Sequence, residues 1–158
     1  MSEPGGLIGE FECRVDAKHR IALPADLLRQ LEGADREQFV LNRGMDGQLV
    51  LHLQSEWRRV QEKLRTLNTY MEKDRRFARM YSAAYPVSPD AQNRLLLPRR
   101  FLDYARIKTD IVLVAMGGTI EVWNQTLYDQ QFEDVREYSK LAEEVLGDRL
   151  VIPLGDER

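Results

Sequence analysis

The chain of 158 residues contains nearly the same nine-residue sequence twice, and this duplication limits the folds open to it. Residues 16–24 have the sequence DAKHRIALP and residues 90–98 have DAQNRLLLP, so matching positions lie 74 residues apart. A constant offset through an acid, a base and a proline indicates that one structural unit occurs twice. In each copy an Asp-x-x-x-Arg loop precedes an apolar run that ends at proline. We therefore expect the function to depend on these two loops.

Apolar positions outside the motif repeat as well. The offset falls to 72 and then to 71 further along the chain, and both slips lie between predicted elements, where insertions are tolerated. The matching pairs are Phe11 with Tyr85, Cys13 with Val87, Leu27 with Phe101, Leu28 with Leu102, Leu49 with Ile120, Leu51 with Val122, Trp57 with Tyr128, and residues 39–41 with 111–113. The duplication therefore covers most of the chain.

Size and composition indicate how the repeats are stabilised and in which compartment the protein is expected. Each repeat alone would be marginally stable because a short chain buries little surface per residue, so shared cores or several subunits are expected. The sequence has no apolar run long enough for a membrane span and no signal-peptide pattern. Cys13 is the only cysteine, which rules out an internal disulfide and favours a reducing cytoplasm. We expect Cys13 to be a small, buried strand residue.

Charge is distributed unevenly along the chain, although the formal net charge is only −3. The first loop has three fixed cations, Arg14, Lys18 and Arg20, against Asp16 alone. Residues 129–148 contain seven acids and two bases. A cationic loop on an acidic body can still bind phosphate if the acidic segment lies elsewhere. The net charge therefore does not exclude a nucleic-acid partner.

Each repeat has the pattern of a strand, a loop, a strand, a short helix and a hairpin. Asp46-Gly47 and Gly117-Gly118 lie between apolar runs and favour hairpins, because glycine accepts positive φ. Pro24 and Pro98 can open the short helices, since the first helical turn needs no proline N–H. Gly33 is the expected cap at the end of the first short helix. The predicted strands are residues 7–15, 21–23, 39–41, 49–51, 95–97, 111–115 and 120–123.

Two longer helices are also predicted from their apolar spacing. The first begins with Ser55 as N-cap and has an apolar face of Trp57, Val60, Leu64, Leu67 and Met71. A basic stretch at residues 73–79 then leads into the second repeat. The closing helix begins at Thr126, with Asp129 as capping partner and an apolar face of Tyr128, Phe132, Val135, Ala142 and Leu146. The chain after Gly147 is expected to be loose. Short central strands with outer helices indicate a β-rich α+β fold.

The acid and the base of each loop are expected to do different work. Asp16 and Asp90 suit the capping of a tight turn through their carboxylates. Arg20 and Arg94 are favoured as ligand-facing, because a fixed loop that presents arginine suits phosphate or guanine recognition. From the residues alone, the chain is a duplicated β-rich protein with two polar loops.

Two copies of Asp-x-(Lys/Gln)-x-Arg-(Ile/Leu)-x-Leu-Pro, each followed by a Gly-containing hairpin and a helix, resemble the MraZ family of bacterial transcription regulators. The resemblance extends from Leu7 to Leu146. It implies kinship with the AbrB and MazE swapped-hairpin proteins and a tandem double-split β-barrel with peripheral helices. It also implies a ring-shaped homo-oligomer that binds short direct repeats in the promoter of the division and cell-wall gene cluster. We place the two repeats at residues 7–72 and 80–146, within one compact structural unit.

The sequence departs from the family pattern at the residue before each arginine. This residue is commonly glycine in the family, whereas here it is His19 in the first loop and Asn93 in the second. Asn and His are among the residues that best tolerate a left-handed backbone, so the turn can be preserved. We therefore expect Asp16, His19, Asp90 and Asn93 to shape the loops.

The resemblance makes double-stranded DNA the expected partner, in the cytoplasm at the nucleoid. The predicted DNA contacts are Arg14, Lys18, Arg20 and Arg94. The alternative is a MazE-like, antitoxin-type interaction module, although the second repeat and the closing helix argue against it. We expect no enzymatic activity, no cofactor and no small-molecule substrate. We also expect no metal site, since His19 and His52 are the only histidines and His52 suits a packed position.

Overall fold

The computed structural model of the chain describes residues 6–147. The strands are β1 (Leu7–Arg14), β2 (Arg20–Ala22), β3 (Phe39–Arg43), β4 (Leu49–Leu53), β5 (Tyr85–Val87), β6 (Arg94–Leu96), β7 (Asp110–Gly117) and β8 (Thr119–Asn124). The helices are α1 (Ala25–Leu28), α2 (Ala34–Glu37), α3 (Gln54–Leu64), α4 (Glu72–Tyr81), α5 (Arg99–Tyr104), α6 (Gln125–Gln130) and α7 (Val135–Leu146). Of the described residues, those up to Gln125 form one compact unit and those from Thr126 form a second.

The six-stranded antiparallel sheet of the first unit is built by both repeats together. Its strand order is β1-β7-β8-β4-β3-β5. The first strand of each repeat pairs with a strand of the other repeat, since β1 pairs with β7 and β5 pairs with β3. The hairpin strands β4 and β8 pair at the centre. Exchange of the two repeats therefore leaves the strand order unchanged, and neither repeat has a sheet of its own.

Strands β2 and β6 form a separate two-stranded ribbon, called the β2–β6 ribbon below. Arg20 pairs with Leu96, Ile21 with Leu95 and Ala22 with Arg94. The predicted strands at 21–23 and 95–97 thus begin one residue earlier than expected. The reason is that pairing starts immediately after the left-handed residue of each loop.

The prediction of a β-rich α+β fold is confirmed by this arrangement of strands and helices. The sheet is open within residues 6–147, because β1 and β5 form its two edges. One edge is covered locally at Ile8, whose N–H and C=O bond to the side-chain amide of Gln30 at 2.9 Å each. The side chain of Gln30 thus takes the place that a neighbouring strand would occupy at this point.

Buried apolar side chains from both repeats form one core in the first unit. Ile21 and Leu95 contribute from the ribbon, and both are fully buried. Positions that match between the repeats are buried alike: Leu27, Leu28, Phe101, Leu102, Leu49, Leu51, Ile120 and Val122. Cys13 packs against this core from β1 but is only partly buried, whereas full burial was expected, and this partial burial raises the pKa of its thiol. A raised pKa leaves little thiolate at neutral pH, so this thiol is a packing group.

The hairpins follow the prediction, whereas several helix ends do not. Gly33 is not the C-terminal cap of α1, because α1 already ends at Leu28. Gly33 is instead the N-cap of the short helix α2. Ser55 is likewise not the N-cap of α3, since Leu53 holds that place. Ser55 instead bonds to Asp35 through both its N–H and its hydroxyl, at 3.0 Å each. A tertiary partner has replaced the local cap.

The first of the longer helices ends earlier than predicted, and the closing helix is divided in two. The helix α3 ends at Leu64, so Leu67 and Met71 lie outside it, and the basic stretch at 73–79 forms α4. The closing helix is interrupted after Gln130 and resumes at Val135 as α7. Asp134 caps α7 by accepting bonds from the N–H groups of Arg136 and Glu137. The prediction of one helix missed Asp134, which is a better N-cap than a helix-interior residue. The predicted loose tail after Gly147 lies outside the described residues.

His52 connects the sheet to the helical pair α3 and α4. It is buried as predicted, and its ring lies edge-on to Trp57 of α3 and Tyr81 of α4, with centroids 5.0 and 6.0 Å away. The Tyr81 carbonyl also accepts a bond from the buried Asn42 side chain at 2.7 Å. These contacts attach the end of α4 to the sheet. None of the described helices is long and apolar enough to cross a membrane.

Leu95→Ala and Ile21→Ala should destabilise the protein by similar amounts, about 2–5 kcal/mol each, because both leave a cavity in a core that the repeats share. Denaturant unfolding followed by circular dichroism measures the change. Leu96→Ala is the control, since Leu96 is exposed and lies on the other face of the same strand. A small effect at Leu95 with a large one at Leu96 would contradict the described ribbon.

His52 should make stability depend on pH. Burial lowers its pKa from 6.5 to about 4, so the folded chain holds His52 neutral while the unfolded chain protonates it. The free energy of unfolding should therefore fall as pH is lowered through this window, by at most about 1.4 kcal/mol per pH unit. Unfolding at several pH values should show a flatter profile for His52→Phe. His19→Gln, at the exposed histidine, should keep the wild-type slope.

Candidate nucleic-acid interface

The first loop is organised by the carboxylate of Asp16. Its Oδ1 accepts the backbone N–H groups of Lys18 and Arg20 at 2.8 Å each, and its Oδ2 accepts Nε of Arg20 at 2.9 Å. The backbone closes the same turn, since the N–H of His19 bonds to the carbonyl of Asp16 at 3.0 Å. One aspartate thus fixes both the loop and the arginine.

The second loop repeats this geometry atom for atom. Asp90 Oδ1 accepts the N–H groups of Gln92 and Arg94 at 2.8 and 2.9 Å, and Oδ2 accepts Nε of Arg94 at 2.9 Å. The N–H of Asn93 bonds to the carbonyl of Asp90 at 2.9 Å. The same arrangement in two sequences that differ at four of the nine motif positions shows that the Asp-x-x-x-Arg pattern determines the loop.

Each loop needs a left-handed residue directly before its arginine. His19 has φ of 64° and Asn93 has φ of 58°. The backbone carbonyl groups of these two residues extend the ribbon by one hydrogen bond at each end. The His19 oxygen accepts the N–H of Leu97, and the Asn93 oxygen accepts the N–H of Leu23. The expectation that both residues have a left-handed backbone therefore agrees with the geometry.

The hydrogen bonds keep both aspartates ionised. The backbone N–H of the arginine is the largest influence and lowers the pKa of Asp16 and of Asp90. Desolvation opposes it, and the guanidinium adds a further lowering of the pKa. Each arginine charge is therefore partly balanced within its loop. The loops offer positioned hydrogen-bond donors more than a large positive field.

The β2–β6 ribbon brings the two arginines onto one surface. Directly opposite residues share a face of a ladder, and residues two apart on a strand share it too. Arg20, Ala22, Arg94 and Leu96 therefore lie on the outer face, whereas Ile21 and Leu95 point into the core. Arg20 and Arg94 occupy diagonal positions, which lie about 7–8 Å apart in such a ladder.

Both guanidinium groups keep donors available. Only Nε of Arg20 and Nε of Arg94 have a protein acceptor among the residues described. The side chains are about one-quarter to one-third exposed, at 25% and 30%. Their outer nitrogens can thus engage a phosphate or a guanine edge while the inner nitrogen stays fixed.

The other two predicted contacts, Lys18 and Arg14, lie outside the ribbon strands. Lys18 is exposed at the tip of the first loop, and the matching residue of the second loop is the uncharged Gln92. Arg14 forms an ion pair with Asp110 of β7 at 3.1 Å, and both side chains are largely exposed. Such a pair adds little stability, so Arg14 can leave Asp110 for another anion at low cost.

The sequence did not reveal that the two loops belong to one surface. The duplication predicted two separate loops, whereas pairing of β2 with β6 joins them and adds the exposed Leu96 and Ala22 between them. The equal lengths of the apolar runs that follow the two arginines were the available signal. In the part of the chain that the structure covers, no group of three or more His, Cys, Asp or Glu is arranged to hold a metal ion.

Comparison with known proteins decides the family. The sequence model described as "MraZ protein, putative antitoxin-like" matches residues 7–79 and again residues 80–149. The chain belongs to the MraZ family. The double match also confirms that the chain is a repeat, while the limits 7–72 and 80–146 stay predictions.

Relatives over nearly the whole chain have the same family name. A protein of Cytophaga hutchinsonii named transcriptional regulator MraZ is 37% identical over 146 residues, which cover 90% of this chain and 96% of the relative. A protein of Flavobacterium psychrophilum with that name is 36% identical over 89% of this chain and 92% of its own length. A third, of Pediococcus pentosaceus, is 33% identical over 88% and 96%. These proteins are named as regulators and not as enzymes, and MraZ is a non-enzymatic family, as expected for this chain.

His19→Val should destabilise the protein by about 1–2 kcal/mol relative to His19→Gly, because a β-branched residue is strained at positive φ. Both variants remove the same exposed imidazole, so the comparison isolates the backbone. Denaturant unfolding of the two variants gives the difference, and Asn93→Val against Asn93→Gly repeats it in the second loop. Equal stability of the valine and glycine variants would contradict the left-handed conformation.

Proposed function

We propose that this member of the MraZ family is a sequence-specific DNA-binding transcription regulator. The observation that supports this most directly is the pair of arginines on the outer face of the β2–β6 ribbon, each fixed by an aspartate through Nε alone. The names of the relatives agree with a role in transcription.

The geometry suits the major groove of DNA, which is wide enough to admit a two-stranded β-ribbon. Arg20 and Arg94 present their outer nitrogens to base edges or phosphates, and Lys18 and Arg14 add phosphate contacts outside the ribbon strands. Asp16, His19, Asp90 and Asn93 hold the loops in place. Because the arginines are pre-positioned, little side-chain freedom is lost on binding.

A homo-oligomer completes the proposal. One subunit offers few contacts, whereas a ring of identical subunits gains effective concentration for each further contact and suits closely spaced direct repeats. The resemblance to the family supports such a ring and a target in the promoter of the division and cell-wall gene cluster, in the cytoplasm at the nucleoid. The strand exchange between repeats supports the tandem double-split barrel as the wider fold description.

Arg20→Ala and Arg94→Ala should each weaken binding to a duplex from the region upstream of this gene that contains short direct repeats. If the arginine binds phosphate, the slope of log affinity against log salt should decrease by about 0.9 per lost contact. If it binds guanine, the loss should be about 1–3 kcal/mol and confined to the specific duplex. Fluorescence anisotropy against salt, with a shuffled duplex beside the specific one, separates the two.

Arg29→Ala is the matched control, because Arg29 is exposed at the C-cap of α1 and Asp26 is its one ion-pair partner within residues 6–147. It should bind like wild type. Unchanged affinity and salt slope for both ribbon variants, with unchanged melting, would overturn the assignment of the arginines. A wild-type chain without DNA affinity would favour the interaction module of antitoxin type instead.

A further inference from the structure

The helix α7 exposes an apolar stripe. Val135, Tyr138 and Leu141 follow one another at three-residue spacing and are 75%, 70% and 50% exposed. No residue of α7 is buried. A helix of 12 residues is marginal in water by itself, and such helices are normally stabilised by packing of their apolar face. The stripe on α7 therefore needs a covering surface.

The helix α4 exposes apolar side chains beside charges of the opposite sign. Tyr81 attaches α4 to Trp57 and His52, and Phe77 stacks on Tyr81 with ring centroids 5.4 Å apart. Phe77 and Met80, about one turn apart, still expose 42% and 67% of their surface. Lys73 lies one turn before Phe77, and Arg76 one turn before Met80, so cations border the apolar side chains. We call Lys73, Arg76, Phe77 and Met80 the α4 face.

Acids border the stripe on α7 in a corresponding way. Glu137 lies one turn before Leu141, and Glu144 lies three residues after it. Together with Val135, Tyr138 and Leu141 they form what we call the α7 face. The wider segments have the same signs: residues 54–81 have a net charge of +4 and residues 126–147 have −4.

These charges have no ion-pair partner in the chain as described. None of the ion pairs within residues 6–147 involves a charged side chain of α4 or α7. Two apolar faces of similar length, one bordered by cations and one by anions, are complementary in both hydrophobicity and charge.

We propose that the α7 face of one copy docks on the α4 face of a second copy of this chain. The inference rests on the self-association in the proposed function and names the surfaces responsible for it. Two different patches meet, so the contact is head-to-tail, and repeated head-to-tail contacts close into a ring when the rotation allows it. The arginines of the ribbon take no part in this contact.

Charge reversal on either face should break the assembly. The double variants Glu137→Lys with Glu144→Lys, and Lys73→Glu with Arg76→Glu, each turn attraction into repulsion. Juxtaposed like charges should raise the dissociation constant of assembly by about tenfold or more. Light scattering after size-exclusion chromatography, without DNA, measures the mass. Arg29→Glu with Arg36→Glu, on exposed residues outside both faces, is the control and should keep the wild-type mass.

Mixing the two disrupted variants is the decisive step. The reversed α7 face then meets a reversed α4 face, and the two unchanged faces also match, so an alternating assembly should form at the wild-type mass. Restoration on mixing also shows that the single variants are folded. The proposal is overturned if wild type is a monomer at micromolar concentration, if either variant alone keeps its mass, or if mixing restores nothing.

The same samples separate this inference from DNA binding. Under the proposal, disrupted variants keep their specific contacts to a single repeat and lose the gain from neighbouring repeats, and mixing returns that gain. An α4 variant that loses single-repeat binding while its mass stays unchanged would make α4 a DNA contact and overturn the docking assignment. Loss of DNA binding on Arg20→Ala with intact mass would leave the docking assignment standing.

Discussion

The antiparallel pairing of β2 with β6 is the contact on which the rest of the first unit depends. On one face it presents Ile21 and Leu95 to a core built by both repeats, and on the other it displays Arg20 and Arg94. Loss of this pairing would remove the core contacts and separate the arginines at once. Stability and the candidate interface are therefore tied to the same six residues.

Local sequence predicted the parts of the fold whose causes are local. The loops were foreseen because one carboxylate four residues before an arginine can satisfy the turn by itself, and the hairpin at Asp46-Gly47 because glycine accepts its backbone angles. The prediction of helix ends was wrong where a residue distant in sequence determines the end. Asp35 bonds to Ser55 from another helix, and no spacing rule within α3 contains that information.

The candidate site was predicted residue by residue but not as one surface. The duplication indicated two equivalent loops, and it did not indicate that their strands pair with each other rather than with their own repeats. That choice depends on Ile21 and Leu95 meeting in one core, which is a tertiary property. The ion pair of Arg14 with Asp110 was missed for the same reason, since these residues are brought together only by the pairing of β1 with β7.

The exchange of first strands between the repeats also has a kinetic side. Leu7 pairs with Gly117, so the chain must close a loop of roughly 110 residues before β1 has its neighbour, and contacts of such sequence separation form slowly. During synthesis the first repeat leaves the ribosome without β5, β6, β7 and β8, which are the strands that pair with its own. Its inner apolar surface then stays open until the second repeat follows, which makes a chain arrested between the repeats a substrate for chaperones and proteases.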